Sequence, residues 1–510
     1  MNIPSLFTKD PTDVTTKVRL PLKIPIPPYF KDHCFFGETI LPAAESLQHL
    51  ANSAQSYCPE ASVSSMRCAS FKRFLKIPED IQVVDAYHEL EIFGHDHLIS
   101  KLMTIGLIKD TTVTRTNIHA VVEFTDLMKR NVWPPVDMVA SLDGICFEIH
   151  SKKLYNDLIT FGPAYQNIMG SLFISDSGAV GNVQAAEHPA LSTPLGSPFP
   201  FDGTLHAACA WGARFHNILT FPIAFKERHI FKPTVSGELY RFIITPVSSM
   251  GNVLQFDIWI YDAEGNLREE IIGMMMKDIF GSRAKPPEWI QVERGNPLSG
   301  IMEHCKAMTV IDKRTLSEFA VKALSSSEHR RFEGMRKARQ INYLAARLCL
   351  KRLSRKLANG DTLTPAEDIQ TLAADGVHPA CPVPVEKGPI YCSVSHDSRF
   401  AIAVADGEAI GVDVEKISER VIKTRRYFMK DNEIALAENS SLGVLSTYVR
   451  IWSIKEGMTK ALDKPLAESW QHVHVDAVGR SKSYLTFRGT QYVAFHDSVD
   501  DHVFTLVKKK

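Results

Sequence analysis

Apolar positions over the first 283 residues change period twice, and in the same order each time. Residues 42–54 combine helix formers with Leu47 and Leu50 on one side and Pro42 at the start, which predicts a helix. Behind it, Val83–Phe93, 97–108 and 117–124 predict long strands. The order then recurs. Residues 168–174 read as a strand and the Ala-rich 207–215 as a helix, opened by Phe201-Asp202-Gly203-Thr204-Leu205-His206. Residues 235–245, Val253–Tyr261 and 267–274 read as strands, the last two joined by the turn Asp262-Ala263-Glu264-Gly265-Asn266. A helix followed by several long strands, twice over, predicts two α+β halves between residues 15 and 283, each an antiparallel sheet wrapped on a helix. Residues 1–30, rich in Pro and Thr, read as an extended lead-in.

The pattern breaks from Gly281 to Gly300, where Pro286-Pro287 and Gly295-Asn296-Pro297 mark a linker. Beyond it the period turns helical. Ser325-Ser326-Ser327 before Glu328 reads as a helix start, and 336–353 as a basic helix with Leu344, Leu348 and Leu350 in its apolar set. An apolar strand, Phe400-Ala401-Ile402-Ala403-Val404-Ala405, leads to Gly411-Val412-Asp413-Val414-Glu415. Side chains two apart on a strand share a face, so Asp413 and Glu415 present two carboxylates together. Glu456 and Lys460, four apart, share a helix face. Paired carboxylates with a third from elsewhere suit a hard divalent cation that holds phosphates. A solvated strand edge and an ordinary helical ion pair form the plainer alternative.

Charge and cysteine usage narrow the function classes. Fifty-eight basic residues balance 58 acidic ones, which argues against a chain built to coat nucleic acid. The nine cysteines are scattered, with no CxxC pair, and read as thiols of a reducing cytosol, so a cytoplasmic location is expected. No signal peptide is visible in the first 20 residues, and no apolar run approaches the roughly 20 residues of a membrane span.

Three short elements carry the C-terminal chemistry: Ser393-Val394-Ser395-His396, the Gly411–Glu415 strand, and Trp452-Ser453-x-Lys455-Glu456-x3-Lys460. Arg426-Tyr427-Phe428 and Glu433 lie between the last two. On these, residues 303–510 resemble a 4′-phosphopantetheinyl transferase of the surfactin-synthetase type, a pseudo-twofold α+β domain. The resemblance implies magnesium held by Asp413, Glu415 and Glu456, coenzyme A as co-substrate, and a serine of an acyl carrier protein as acceptor. It implies Glu456 as proton acceptor, Lys460 and Lys455 offsetting phosphate charge or positioning the serine, and Ser395 with His396 at a coenzyme A phosphate. The family's Gly-Lys-Pro element appears permuted as Lys387-Gly388-Pro389, which leaves Lys387 as the candidate for the nucleotide end. Arg336, Arg339 and Arg347 are candidate 3′-phosphate partners, with a solvated helix face as the simpler reading. His472 and His474 read as a solvent-facing pair.

The N-terminal part carries His33-x3-Gly37-x4-Pro42 and Asp202-x3-His206, with Phe161-Gly162-Pro163-Ala164-Tyr165-Gln166 between them. On these, residues 14–283 resemble a polyketide or fatty-acid synthase dehydratase, a double hotdog. The resemblance implies that His33 takes the α-proton of a 3-hydroxyacyl thioester and Asp202 protonates the departing β-hydroxyl. Donation by Asp202 near neutral pH requires a raised pKa, expected from Phe201, Leu205 and Ala207; His33 among Phe35, Phe36 and Ile40 is expected to stay neutral. His206 is placed to assist Asp202. The family's Tyr-Gly-Pro-x-Phe reads Phe-Gly-Pro-Ala-Tyr here, so one hydroxyl is lost at 161 and another gained at 165.

The expected organisation is therefore an α+β chain: a double-hotdog domain over 14–283, a linker over 284–302 and a transferase domain over 303–510. Acyl carrier protein and synthase components are the expected partners, and a homodimer through the hotdog domain is a family expectation. A rival reading keeps the transferase and makes the hotdog part a non-catalytic docking or scaffold module. Phe161 favours it; retention of both His33 and Asp202 opposes it. A second rival treats the transferase half as degenerate, which the three carboxylates oppose.

Overall fold

The computed structural model describes residues 16–93, 97–107, 114–126, 133–186, 194–279, 281, 284–291, 296–375, 378–382, 389–464, 470 and 472–510. They form two compact units. One holds the residues up to Asn131 together with Phe147–Val292, and the other holds Val132–Cys146 together with Glu293–Lys510.

The first unit is a 12-stranded antiparallel sheet bent around two helices. Its first half runs Thr16–Pro25, Val83–Phe93, His97–Leu107, Thr114–Thr125 and Ser65–Phe71. Its second runs Phe221–Ile230, Leu267–Lys277, Val253–Tyr261, Leu239–Met250, Gly178–Gln184, Ile168–Ser175 and Phe147–His150. The halves join where Ser65–Phe71 pairs with Phe221–Ile230, with Arg67 opposite Glu227. The helix Ala43–Tyr57 lies on the first half and Pro198–His216 on the second. This is the double-hotdog architecture.

Two elements depart from the pattern reading, and prolines explain both. Thr16–Pro25 is a full edge strand rather than a lead-in. Val18, Leu20, Leu22 and Ile24 alternate toward the core, while Pro21 and Pro25 are tolerated because an edge strand has unpaired backbone on one side. The second helix begins at Pro198, not at 207, because its prolines sit in the first turn, where a missing N–H costs nothing. Asp202 therefore stands inside the helix, one turn in. The helix ends at Asn217, whose left-handed φ of 56° turns its N–H back to the Gly212 carbonyl. It is buried from Pro198 to Ala213, all round its circumference. A methyl at Gly203 would lie 2.6 Å from Val183 Cγ2, so the helix sits hard on the sheet beside Asp202.

The second unit pairs two sheets, each carrying one long helix. Ala307–Asp312, Phe400–Asp406 and Tyr391–His396 form a three-stranded sheet against the helix Lys337–Leu357. Ile410–Lys416, His502–Lys509, Thr490–Val499, Lys482–Phe487 and Val473–Ala477 form a five-stranded sheet against Val444–Leu462. Ser393 Oγ accepts the Val412 N–H at 3.0 Å and ties the two sheets together. The sheet-plus-helix repeat matches the pseudo-twofold α+β layout.

Sequence order and packing part company at residues 133–146, which lie in the chain between the two hotdog halves yet pack in the second unit. The fully buried Asp137 accepts from Arg355 Nη2 at 2.7 Å and Nε at 2.8 Å. Arg352 caps the Asp137 and Ser141 carbonyls at 2.7 and 2.6 Å. Gly144 donates to the Val310 carbonyl at 2.8 Å, and Asp143 Oδ1 accepts the Val310 N–H at 2.9 Å. The basic character of the Lys337–Leu357 helix is thus partly spent on holding this segment. The capping box expected at Ser325 is present, with Ser325 and Glu328 bonding each other's backbone.

Candidate active sites

In the first unit, His33 follows a short 3-10 turn, Pro28–Asp32, and Asp202 comes from the Pro198–His216 helix. Both line one cavity of about 890 Å³, open solvent at its mouth included, whose other walls are mostly apolar: Leu158, Phe161, Leu205, Phe221 and Met276. His33 Nδ1 donates to the Ile40 carbonyl at 2.8 Å, because a carbonyl can only accept, and so Nε2 carries the lone pair. The ring packs 4.4 Å from Phe161 and 5.0 Å from Tyr165, centroid to centroid. Phe36, expected among its apolar neighbours, is mostly exposed at the hairpin tip with a φ of 49°. Burial lowers the His33 pKa, against an opposing pull from Asp202. The neighbouring Asp32 fixes the Phe161–Tyr165 turn: its Oδ2 accepts the Ala164 N–H at 2.9 Å, and its carbonyl accepts that of Gly162 at 2.8 Å.

Asp202 does not behave as the pattern reading expected. Burial does push its carboxyl upward, but His206 beside it and His33 outweigh that and hold it below the usual carboxylate range. Its Oδ2 lies 3.2 Å from His206 Nε2. On its other side, His206 Nδ1 meets the Tyr155 hydroxyl at 3.2 Å. Tyr155 sits in a π-turn, Leu154–Leu158, and carries no signal in the sequence. Glu45, in the first turn of the Ala43–Tyr57 helix, is pushed up to about 8 by burial and then by the Asp202 charge.

In the second unit, a close crossing sets the geometry. A methyl at Gly411 would fall 1.8 Å from the Gly457 carbonyl oxygen, so only glycine lets the Ile410–Lys416 strand lie on the Val444–Leu462 helix. That crossing brings Asp413 and Glu415 to Glu456 and Lys460. Asp413 Oδ1 accepts from Lys460 Nζ at 2.9 Å and from Ser395 Oγ at 2.8 Å. Glu415 Oε1 accepts from Trp452 Nε1 at 2.9 Å. Burial, then the Asp413 charge, pushes Glu415 up to about 7 and Glu456 likewise. Among the described residues, Asp413 Oδ2 is buried without a hydrogen-bond partner. Carboxylates that repel one another beside a buried acceptor oxygen form a donor set that fits a hard divalent ion. Among the described residues no three such side chains form a ready cation cage.

The other site candidates divide. His396 ends its strand exposed; partial burial, then Lys313 and Lys460, lower its pKa. Lys313 is a basic group at this site that the sequence did not flag. It donates to Asn342 Oδ1 at 2.5 Å and to the Asp397 carbonyl. Ser395 holds Asp413 in place. Lys455 is turned away from the site: fully buried, it bonds Glu433 Oε2 at 2.7 Å and the Phe428 carbonyl at 2.5 Å. Its burial with a carboxylate explains why Glu433 accompanies the motif. Arg347 is likewise buried, donating to the Thr371 carbonyl at 2.7 Å, so it braces a loop instead of waiting for phosphate. Arg336 and Arg339 are exposed, as are His472 and His474. Lys387 lies outside the described residues.

Residues 409–507 match the family model of the 4′-phosphopantetheinyl transferase superfamily. The 4′-phosphopantetheinyl transferase gsp of Aneurinibacillus migulanus is 30% identical over 86 residues, which are 16% of this chain and 36% of that protein. The matched part thus spans about a third of that relative. Among solved structures, a trans-AT polyketide synthase dehydratase domain from Brevibacillus brevis matches 52% of this chain and 96% of its own, at 11% identity and TM-score 0.42. The dehydratase domain of the CurF module of the curacin polyketide synthase matches 53% and 95%, at 15% identity and TM-score 0.41. The dehydratase domain of PpsC from Mycobacterium tuberculosis, in complex with C12:1-CoA, matches 53% and 96%, at 16% identity and TM-score 0.39. The C-terminal region carries a domain of the transferase superfamily, joined to an N-terminal unit whose own sheet and helices have the double-hotdog form. Among the described residues no helix is long and apolar enough to cross a membrane.

Proposed function

We propose that the chain performs two reactions on one kind of partner, an acyl carrier protein. The C-terminal unit moves 4′-phosphopantetheine from coenzyme A to a carrier serine, and the N-terminal unit dehydrates 3-hydroxyacyl chains borne on such an arm. The observation that carries the first reading is the acidic cluster at the Gly411–Gly457 crossing, with Lys313 and Lys460 bringing positive charge beside it. The carrier serine attacks the phosphorus bearing the pantetheine arm, its proton passes to Glu456, and 3′,5′-adenosine bisphosphate leaves. Lys313 and Lys460 offset the phosphate charge, and His396 meets a phosphate as a hydrogen-bond donor. Asp413, Glu415 and Glu456 would hold magnesium, which when bound neutralises charge on the pyrophosphate. The exposed Arg420, Lys423, Arg426 and Tyr427 of the Arg420–Phe428 helix support docking of an acidic carrier surface.

The second reading rests on His33 and Asp202 facing one apolar cavity from different elements. His33 Nε2 takes the α-proton, the electron pair forms the Cα–Cβ double bond, and the Cβ–O bond breaks. The departing hydroxyl leaves as water with a proton delivered by the Asp202–His206 pair. The narrow, apolar walls suit an acyl chain and exclude water. The free thiols support a reducing, cytosolic setting.

Intact mass spectrometry tests both reactions. An apo carrier protein incubated with coenzyme A and magnesium is expected to gain the mass of the arm. A 3-hydroxyacyl-loaded carrier is then expected to lose the mass of one water. Gain of the arm without loss of water would leave the hotdog part as a docking or scaffold module.

A further inference from the structure

Two histidines at the first cavity are held in opposite tautomers. His33 donates from Nδ1 to the Ile40 carbonyl, whereas His206 meets Tyr155 at Nδ1. The Tyr155 oxygen already accepts the Ile168 N–H at 2.9 Å and a second backbone hydrogen bond from Asn167, which fills both its lone pairs. Its own hydrogen is therefore directed to His206 Nδ1, which makes that nitrogen an acceptor. Nε2 then carries the ring's hydrogen, on the side of Asp202, 3.2 Å away.

We infer that Tyr155 is a positioning residue that fixes the His206 tautomer, so that the hydrogen on Nε2 is the one turned to Asp202. This deepens the dehydratase reading and rests on it. A second proton on His206 would have to enter at Nδ1. Tyr155 would then accept from both Ile168 and His206, and its own hydrogen would lose its acceptor inside a buried site. A proton delivered by this pair therefore passes across the 3.2 Å contact between His206 Nε2 and Asp202 Oδ2. Burial and the Asp202 charge raise the Tyr155 pKa, which keeps its phenol a donor throughout. The other groups that reach this pair are His33, Glu45 across the helix pair, and Tyr165. None of them is bonded to His206 Nδ1 in place of Tyr155.

The test uses the full chain with Tyr155→Phe, which keeps the ring and removes one oxygen. With a 3-hydroxyacyl carrier substrate, kcat is expected to fall about tenfold while KM stays within about twofold, because acid delivery is lost and binding is not. Nitrogen-15 NMR of labelled histidines, with His206 assigned by difference against His206→Gln, is expected to show Nδ1 unprotonated in the wild type and a mixture in Tyr155→Phe. A wild-type His206 protonated at Nδ1, or an unchanged kcat in the variant, overturns the inference. If the wild type dehydrates nothing, the functional reading falls, and the NMR tautomer still decides the role of Tyr155 by itself.

Discussion

The two sites use the same residue type with opposite electrostatics. Asp202 is held below the ordinary carboxylate range, whereas Glu415 and Glu456 are pushed up to about 7. Burial acts first at all three, and in the same upward direction. The sign is decided by the nearest partner. Asp202 has His206 on its own helix, one turn away. The transferase carboxylates face one another across a strand–helix crossing, with Lys460 as the nearby cation bonded to Asp413. The first site is arranged to keep a carboxylate charged beside its histidines, and the second to keep a place for positive charge. Burial alone would have made them alike.

The largest expected effect separates the two sites outright. His33→Ala is expected to cut dehydration by roughly 10³-fold or more while arm transfer continues, and Asp413→Ala to do the converse. Product masses on apo and 3-hydroxyacyl carriers read both. Loss of both reactions in either variant would break the comparison, since the sites would then not be independent.

Asp137→Ala tests whether independence of chemistry extends to folding. The segment at 133–146 belongs by packing to the transferase unit and by sequence to the hotdog region. Removing the carboxylate leaves Arg355 buried and unpaired, an expected loss of about 3–5 kcal/mol from the C-terminal transition in urea. Transfer is expected to fall with it, and the chemistry at the first cavity to persist. An unshifted transition would mean that the segment merely rests on the unit.

The elements were legible where side-chain period was strong and hidden where proline interrupted it. Val83–Phe93 and Val253–Tyr261 run between the bounds their alternation predicts. Thr16–Pro25 and the first turns of the second helix were lost to prolines that an edge strand and a helix start both accept. Residues such as His33, Asp202, Asp413, Glu415 and Glu456 were visible because short motifs hold them. Their partners were not. Tyr155 and Lys313 reach their sites through tertiary packing and belong to no local spacing. Lys455 misled for the complementary reason: a motif lysine beside a carboxylate reads as a ligand, and only packing reveals that Glu433 takes it inward.

A smaller effect is expected from the crossing itself. Gly411→Ala forces the strand off the helix at a contact of 1.8 Å with backbone, with no flexible side chain to give way. Overpacking of this kind costs about 1–3 kcal/mol. Because Asp413 and Glu415 ride on the same strand, the half-saturating magnesium concentration for transfer is expected to rise more than the coenzyme A KM. Equal changes in both would locate the damage in general unfolding and not in the acidic cluster.

The finest test lies inside the first unit, where Glu45 repeats the transferase pattern under the charge of Asp202, its opposite. Burial and the Asp202 charge raise it to about 8 from an ordinary 4.5, although a hydrogen bond with Tyr29 pulls the other way. The folded state therefore binds this proton more tightly than the unfolded chain does. Its contribution to stability is full below about 4.5 and is lost as pH rises through about 8. Glu45→Gln has no proton to lose. Its N-terminal unfolding midpoint, compared with wild type at each pH, is expected to gain by a few degrees between about pH 4.5 and 8. Midpoints that stay parallel across that window would mean that Glu45 ionises at no cost. Neighbouring charge would then not set the sign of these shifts, and the contrast between the two sites would need another cause.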